Sequence, residues 1–433
     1  MPAALIGGAS VGDAVGAANE EPRRYSSVVR NATSSAAYSA SWGISSRASL
    51  RDGGSSSERG RAWRLLLVVD NQMPMPITSP SAAVLSTAKA LPSHRYDQAD
   101  LAALAQRMLP ELALDQRGLL RFFRSVSVQH RHLALDKDAY ARLGGLEGRS
   151  RAWLEVALEL GQRCIEDVLR DAQIPADSIA HLMTTTVTGI SVPTLDARLM
   201  NRIPFAPSLK RVPAFGLGCV GGAAGVARVA DYLRAFPTHA GILLSVELCS
   251  LTFQKEDLSP SNVISMGLFG DGAAAVLMVG AEHPLANRAL PRIVDSESVF
   301  FPNTERMMGW DIVDSGFKVV LDPKVPELAR ENLRPAVDAF LARHQLERRN
   351  IRAWVCHPGG PKVMDAVAEG LELDAEALRP ARDGLVEVGN LSSASVLFLL
   401  DEFRGAQRPE PGSFGVMLAM GPAFCAELVL LQW

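Results

Sequence analysis

Ile179-Ala-His-Leu-Met-Thr-Thr-Thr-Val-Thr-Gly189 and Ile351-Arg-Ala-Trp-Val-Cys-His-Pro-Gly-Gly360 share one layout. Each is a short apolar run that ends in a glycine turn, and each follows a helical stretch and a brief polar connection (Val168-Leu-Arg-Asp-Ala172 and Phe340-Leu-Ala-Arg-His344). A run of this length, bounded by turn residues, reads as a buried strand. The match continues downstream. Thirty residues beyond Gly189 lies Cys219, in Gly218-Cys-Val-Gly-Gly-Ala-Ala-Gly225, and thirty beyond Gly360 lies Asn390, in Gly389-Asn-Leu-Ser-Ser-Ala-Ser395. Both turns run into a helical pattern, Val226 to Phe236 and Val396 to Phe403. Four features in one register imply an internal duplication, two α/β halves of like construction.

The rest of the chain supports alternating helix and strand. Ala82-Ala-Val-Leu-Ser-Thr-Ala88 is strand-like, Asp97-Gln-Ala-Asp-Leu opens a helix with an acidic first turn, and Arg151 to Ala172 keeps helical period. Such alternation predicts a layered α/β sheet. Residues 1–74 differ: they are rich in Ser, Ala, Gly and Arg without a sustained apolar period, which predicts a disordered extension. Met73 and Met75 stand just ahead of the first ordered strand and are candidate starts. The predicted organisation is therefore an extension over 1–74, a first half over 75–283 with a nucleophilic cysteine, and a second half over 284–433.

Composition narrows the function. The chain has 433 residues, 48% hydrophobic and 21% charged, with a net charge of −3. No global basic field exists to hold nucleic acid or an anionic membrane. The apolar runs, such as Leu65-Leu-Leu-Val-Val69, are far shorter than the roughly 20 residues that span a bilayer. Five scattered cysteines without a CxxC pair argue against a disulfide framework and a zinc site, and point to a reducing cytoplasm. No metal or cofactor is expected.

Three residues carry the candidate chemistry. Cys219 sits on a glycine turn that opens a helix, where exposed N–H groups and the helix dipole favour a thiolate and predict a lowered pKa. His357 follows the strand Ala353-Trp-Val-Cys356 and precedes Pro358-Gly-Gly-Pro361, so its ring belongs at the strand's C-terminal end, where α/β sheets keep their sites. His94, His130, His132 and His344 lie in charged stretches read as solvated. Asn390 caps a helix or, with the histidine, donates to an oxyanion. A nucleophile, an imidazole and an amide suit acyl transfer. No acidic general base stands with them. Decarboxylation makes a carbon nucleophile without one, needing only stabilisation of the enolate. A thiol protease is the competing reading of the same three residue types, and requires an open groove and water.

Longer stretches resemble the chalcone and stilbene synthases, or type III polyketide synthases, of the thiolase-fold superfamily: Val246-Glu-Leu-Cys-Ser-Leu-Thr-Phe253, Gly267-Leu-Phe-Gly-Asp-Gly-Ala-Ala-Ala275, Trp354-Val-Cys-His-Pro-Gly-Gly-Pro361 and Glu387-Val-Gly-Asn-Leu-Ser-Ser-Ala-Ser395. The resemblance covers about Ala82 to Trp433. It implies a thiolase-like α-β-α-β-α core, a homodimer, and the loading of an acyl group from CoA onto Cys219. Repeated decarboxylative condensation with malonyl-CoA and cyclisation of the product would follow. It also implies a gatekeeper at Phe269, a cavity bordered by Cys249, Thr252, Thr188, Val192, Phe317 and Ser392, and a CoA mouth at Arg117, Arg121, Arg124 and Lys362. Cys249 stands where plant members carry threonine, Val192 stands before Pro193 of the partner-facing dimer loop where they carry methionine, and Ala419-Met-Gly-Pro-Ala-Phe424 is an altered C-terminal loop. These departures resemble bacterial members that take fatty acyl starters and release alkylpyrones or alkylresorcinols. Two alternatives share the fold: a β-ketoacyl carrier-protein synthase making one condensation, and an inactive binding scaffold.

Overall fold

The computed structural model describes residues 82–112 and 116–433; the predicted extension over 1–74 lies outside the described residues. The first half runs β1 (Ala82–Ala90), β2 (His94–Asp97), α1 (Gln98–Met108), α2 (Gln116–Arg124), β3 (His130–Leu133), α3 (Leu146–Ala172), β4 (Ile179–Thr186), α4 (Leu195–Leu199), β5 (Lys210–Phe215), α5 (Gly221–Ala235), β6 (Ala240–Leu248), α6 (Pro260–Leu268) and β7 (Asp271–Gly280). The second runs β8 (Arg292–Phe300), β9 (Met308–Val313), β10 (Gly316–Leu321), α7 (Val325–Ala342), β11 (Ile351–Cys356), α8 (Pro361–Leu371), α9 (Arg379–Val388), α10 (Ser395–Arg404), β12 (Phe414–Gly421) and β13 (Cys425–Gln432).

Strand order makes the duplication visible. One nine-stranded sheet reads β11-β12-β13-β8-β1-β7-β6-β4-β5. Outward from β1 the first half runs β1-β7-β6-β4-β5, and outward from β8 the second runs β8-β13-β12-β11. In each half the opening strand lies beside the closing one, and the two strands read as equivalent in the sequence, β4 and β11, hold equivalent places. The second half has no counterpart of β5 among the described residues. β1 and β8 join the halves through two antiparallel pairs, Ala82 with Ile293 and Ala83 with Arg292.

The middle of the sheet is buried on both faces, which is why β6 and β7 read as continuous apolar runs rather than alternating ones: every residue of both is buried. Helix α3 covers the first half from outside, α7 covers the second, and α5 and α10 lie between. The core thus has the expected α-β-α-β-α order. Small residues (Gly221, Gly222, Ala223, Ala224 and Gly225) open α5 and let this central helix approach its neighbours closely.

One sequence reading needs correction here. His344, expected in a solvated stretch, is buried, and its Nε2 lies 2.8 Å from Asp295 Oδ2. It ends α7 against β8, so charge in the local sequence did not mean exposure. Val192, expected on the partner-facing loop along the cavity, is 94% exposed in the single chain. Its loop is held outside the sheet, with Ser191 Oγ and Arg198 Nε both donating to the Pro193 carbonyl at 3.0 Å.

Candidate active site

Cys219 lies in a single turn, Gly218–Val220, that leads directly into α5. Gly218 has φ of +57°, and a side chain there would meet the Pro422 ring at 2.6 Å. Glycine is required on both counts. The next turn is fitted against the other half of the molecule: a Cβ on Gly222 would stand 2.2 Å from the Ser393 carbonyl oxygen. The two equivalent turns, one from each half, therefore pack directly on one another. The Cys219 sulfur lies 3.6 Å from the Ser392 hydroxyl as a result.

Asn390 is fixed through its backbone. Its N–H donates to Leu268 O at 2.9 Å and its carbonyl accepts from Gly270 N at 3.0 Å, so it forms a bridge with the segment that holds Phe269. Its side-chain Oδ1 accepts the N–H of Ser392 at 2.8 Å. With the oxygen so engaged, Nδ2 is left as the donor, and it reaches Gly359 O at 3.4 Å. Gly359 is two residues from His357 and its N–H donates to the His357 carbonyl at 2.9 Å. A continuous line of contacts thus joins Cys219, Ser392, Asn390 and the turn that bears His357.

His357 follows the last residue of β11, with its N–H donated to Leu418 O on β12 at 2.8 Å. The ring is 6% exposed and its Nδ1 is buried without a partner among the described residues. Burial pushes the imidazole down to about 4, so it is neutral at physiological pH. Burial also pushes the Cys219 thiol up to about 12, opposed by the hydrogen bond to Ser392 and reinforced by the charge of Glu247. This corrects the expectation of a thiol lowered by the helix start: removal from water is the largest influence on it. Cys219 as a whole residue is half-buried rather than sealed from solvent. The site holds a neutral thiol, a neutral imidazole and an amide donor, a set able to exchange a proton and to stabilise an oxyanion.

Comparison with known proteins decides what this arrangement belongs to. A family model for the N-terminal domain of chalcone and stilbene synthases matches residues 73–283, and one for their C-terminal domain matches 292–433. The chain belongs to the chalcone and stilbene synthase family. It is 46% identical to a 1,3,6,8-tetrahydroxynaphthalene synthase of Streptomyces peucetius subsp. caesius, over 81% of this chain and 93% of that one. It is 36% identical to a putative chalcone synthase of Bacillus subtilis (strain 168), over 81% and 99%. The crystal structure of the 1,3,6,8-tetrahydroxynaphthalene synthase of Streptomyces coelicolor A3(2), a bacterial type III polyketide synthase, superposes with a TM-score of 0.76 at 28% identity, covering 81% of this chain and 99% of that one. The present chain is accordingly a type III polyketide synthase, an acyltransferase that joins acyl units by decarboxylative condensation.

Within this synthase a small cavity of about 60 Å³ opens between α1, α6 and the β9–β10 hairpin. Of the residues expected to border it, Cys249, Thr252 and Phe269 line the wall. Phe317 is buried behind it, its ring 6.5 Å from Trp310 and 5.9 Å from Phe215. Ser392 stands at the Cys219 sulfur rather than in this cavity. Arg117, Arg121 and Arg124 are exposed along α2, and Lys362 is exposed in the first turn of α8. No helix among the described residues is long and apolar enough to cross a membrane.

The sequence reading missed three residues here. Trp310 lines the cavity from the hairpin. Glu247 is wholly buried behind Cys219, its Oε2 accepting from Val187 N at 3.0 Å and Thr188 Oγ1 at 2.9 Å, its Oε1 from the Ser393 hydroxyl. Burial raises it to about 7 in spite of these bonds. Thr188, expected in the cavity, instead serves this carboxylate and accepts from Leu248 N at 2.9 Å. The run Thr184-Thr-Thr-Val-Thr188 in a buried strand was a signal that a polar partner had to exist. The third is Arg131, another wall residue of the cavity.

Proposed function

We propose that Cys219 takes the starter acyl group from a CoA thioester and that His357 and Asn390 receive the negative charge formed when malonyl-CoA loses carbon dioxide. The contact line from Cys219 through Ser392 and Asn390 to the His357 turn supports this reading, since it gathers the three groups from both halves of the chain. The thiol adds to the thioester carbonyl and its proton passes to the imidazole; CoA leaves as its thiol. Decarboxylation then gives the enolate of acetyl-CoA, which attacks the acyl-Cys219 carbonyl and releases the thiolate. In the same reading Arg117, Arg121, Arg124 and Lys362 meet the CoA phosphates, and Phe269 separates their entrance from the cavity.

The product is a small polyhydroxylated aromatic of the tetrahydroxynaphthalene kind. The 46% identity to a 1,3,6,8-tetrahydroxynaphthalene synthase carries this. That ten-carbon skeleton, oxygenated at alternate positions, is what head-to-tail joining of two-carbon units gives. The apolar wall of Leu101, Leu104, Met108 and Leu133 favours a second reading, a fatty acyl starter leading to an alkylpyrone or alkylresorcinol. Mass spectrometry separates the two. A ten-carbon aromatic from malonyl-CoA alone supports the first; product only when a fatty acyl-CoA is added supports the second.

The enzyme acts as a homodimer. β5 is an edge strand whose Val212 and Phe215 are 44% and 46% exposed, and Ile190 and Val192 beside it are exposed as well. An open apolar edge of this kind is covered in a stable protein. Light scattering that gives one chain's mass at micromolar concentration would overturn this.

A further inference from the structure

Helix α6 ends at the proposed gate, and its last carbonyls are met one by one. Gly267 O accepts from Gln98 Nε2 at 2.7 Å, Leu268 O from Asn390 N at 2.9 Å, and Phe269 O from Arg131 Nη1 at 2.8 Å. The final carbonyls of a helix have no partner within it, and a cation there is favoured by the dipole as well. Gln98 is shared, since its Oε1 accepts from Arg131 Nη2 at 3.1 Å while its amide serves Gly267. All three tying residues lie outside α6, two of them on the α1–β3 side and one on the turn after α9.

Arg131 is built into this place. It is 3% exposed, its guanidinium lies 5.9 Å from the centre of the Phe123 ring, and the backbone at Gly389 comes so near that an added Cβ would stand 3.1 Å from its Cγ. Phe123 is itself buried on α2, the helix that bears Arg117, Arg121 and Arg124, and packs against Gly267, where an added Cβ would be 2.8 Å away. Burial lowers the guanidinium to about 10, which leaves it charged at physiological pH. A buried cation retained beside a neutral carbonyl needs a reason: the charge of Asp271 helps to keep it protonated, but the Asp271 oxygens accept from Ser250 and from Ala134 N, and the hydrogen bonds of the guanidinium go to Phe269 O and Gln98 Oε1.

We infer that Arg131, with Gln98, is a positioning residue that fixes the Phe269 backbone against Asn390, keeping the gate in register with the site where the enolate forms. This rests on the function proposed above. An enolate has two fates. It attacks the acyl thioester and a carbon–carbon bond forms, or it takes a proton from water and leaves as acetyl-CoA. A gate held in place excludes that water. The quantity Arg131 controls is therefore the number of carbon–carbon bonds formed per carbon dioxide released.

The test measures both products in Arg131→Met, Arg131→Lys and Phe269→Ala. We expect the ratio to fall at least fivefold in Arg131→Met and at least twofold in Arg131→Lys, whose ammonium cannot reach both acceptors. The double variant Arg131→Met/Phe269→Ala should be no worse than Phe269→Ala alone, as for two residues acting through one element. A general loss of structure lowers both products together and leaves the ratio at the parent value; that result, or losses that multiply in the double variant, overturns the inference. If Arg131→Met does not accumulate folded, Arg131→Lys decides alone, and a ratio equal to the parent's overturns it. A parent enzyme that releases carbon dioxide but forms no bond would instead overturn the proposed function.

Discussion

The Cys219 sulfur lies 3.6 Å from the hydroxyl of Ser392, a residue contributed by the other half of the chain. Ser392 adopts φ of +48°, unusual for a residue with a side chain, and its N–H is tied to Asn390 Oδ1. A strained residue held by its neighbours at such a point has a local task. The hydroxyl lowers the thiol pKa against the push of burial.

Ser392→Ala should therefore slow acylation of Cys219 without unfolding the protein. A single hydrogen bond of about 0.5–1.5 kcal/mol corresponds to a loss of roughly 2- to 10-fold. Stopped-flow loading of an acyl-CoA, followed by intact mass, reads it directly. Loading at the parent rate would remove Ser392 from the account.

For the charge-receiving pair the expected losses are larger. Asn390→Ala and His357→Ala should each reduce malonyl-CoA decarboxylation by about 10² to 10³, the usual effect of deleting one donor to a developing oxyanion. Cys219→Ala should form no covalent acyl adduct. A parent rate of carbon dioxide release in Asn390→Ala would mean that its amide serves only the turn.

Glu247 predicts a pH dependence of stability. Its carboxyl is held up to about 7 in the fold from an ordinary 4.5, so the folded state binds this proton more tightly than the unfolded chain. The associated stability is fully present below about pH 4.5, falls as pH rises through 7, and is flat above. At about 1.4 kcal/mol per pH unit this is of order 3 kcal/mol. Asp271, raised from 3.8 to about 6 by burial, contributes with the same sign between those two values, a window that overlaps the lower part of Glu247's. Glu247→Gln should flatten the profile of unfolding free energy between pH 4.5 and 7 without abolishing its slope. Superimposable profiles for parent and variant would contradict the assignment.

Much of this architecture was legible because it is local. Strands β4 and β11 are bounded by glycine turns, and the thirty-residue spacing placed Cys219 and Asn390 at equivalent turns before any contact was known. What stayed hidden depends on partners distant in sequence. Glu247 looks like one polar residue in an apolar strand; its meaning comes from Thr188 and Ser393, on elements 59 and 146 residues away. Arg131 and His344 sat in charged stretches that read as solvated, and only packing makes them interior. The thiol pKa went wrong for a related reason: a turn can be read for its dipole, whereas burial is a property of everything around it.

The cavity wall gives the last prediction. Cys249 is 6% exposed and faces the same space as Thr252, Phe269 and Trp310. A small thiol there leaves room that a larger side chain would fill, and overfilling a tight site is as damaging as emptying one. Trp310 works in the opposite sense, since its indole occupies the hairpin side of the space. Cys249→Phe should therefore shorten the product or the accepted starter, and Trp310→Ala should lengthen it. Each methylene admitted or excluded is worth about 0.8 kcal/mol, roughly fourfold in kcat/KM, so a series of acyl-CoA esters of increasing length resolves the shift. In Cys249→Phe the optimum should move to shorter chains by at least two carbons, and in Trp310→Ala to longer ones. An unchanged optimum in both variants, with products of parent length, would mean that chain length is set deeper than this wall.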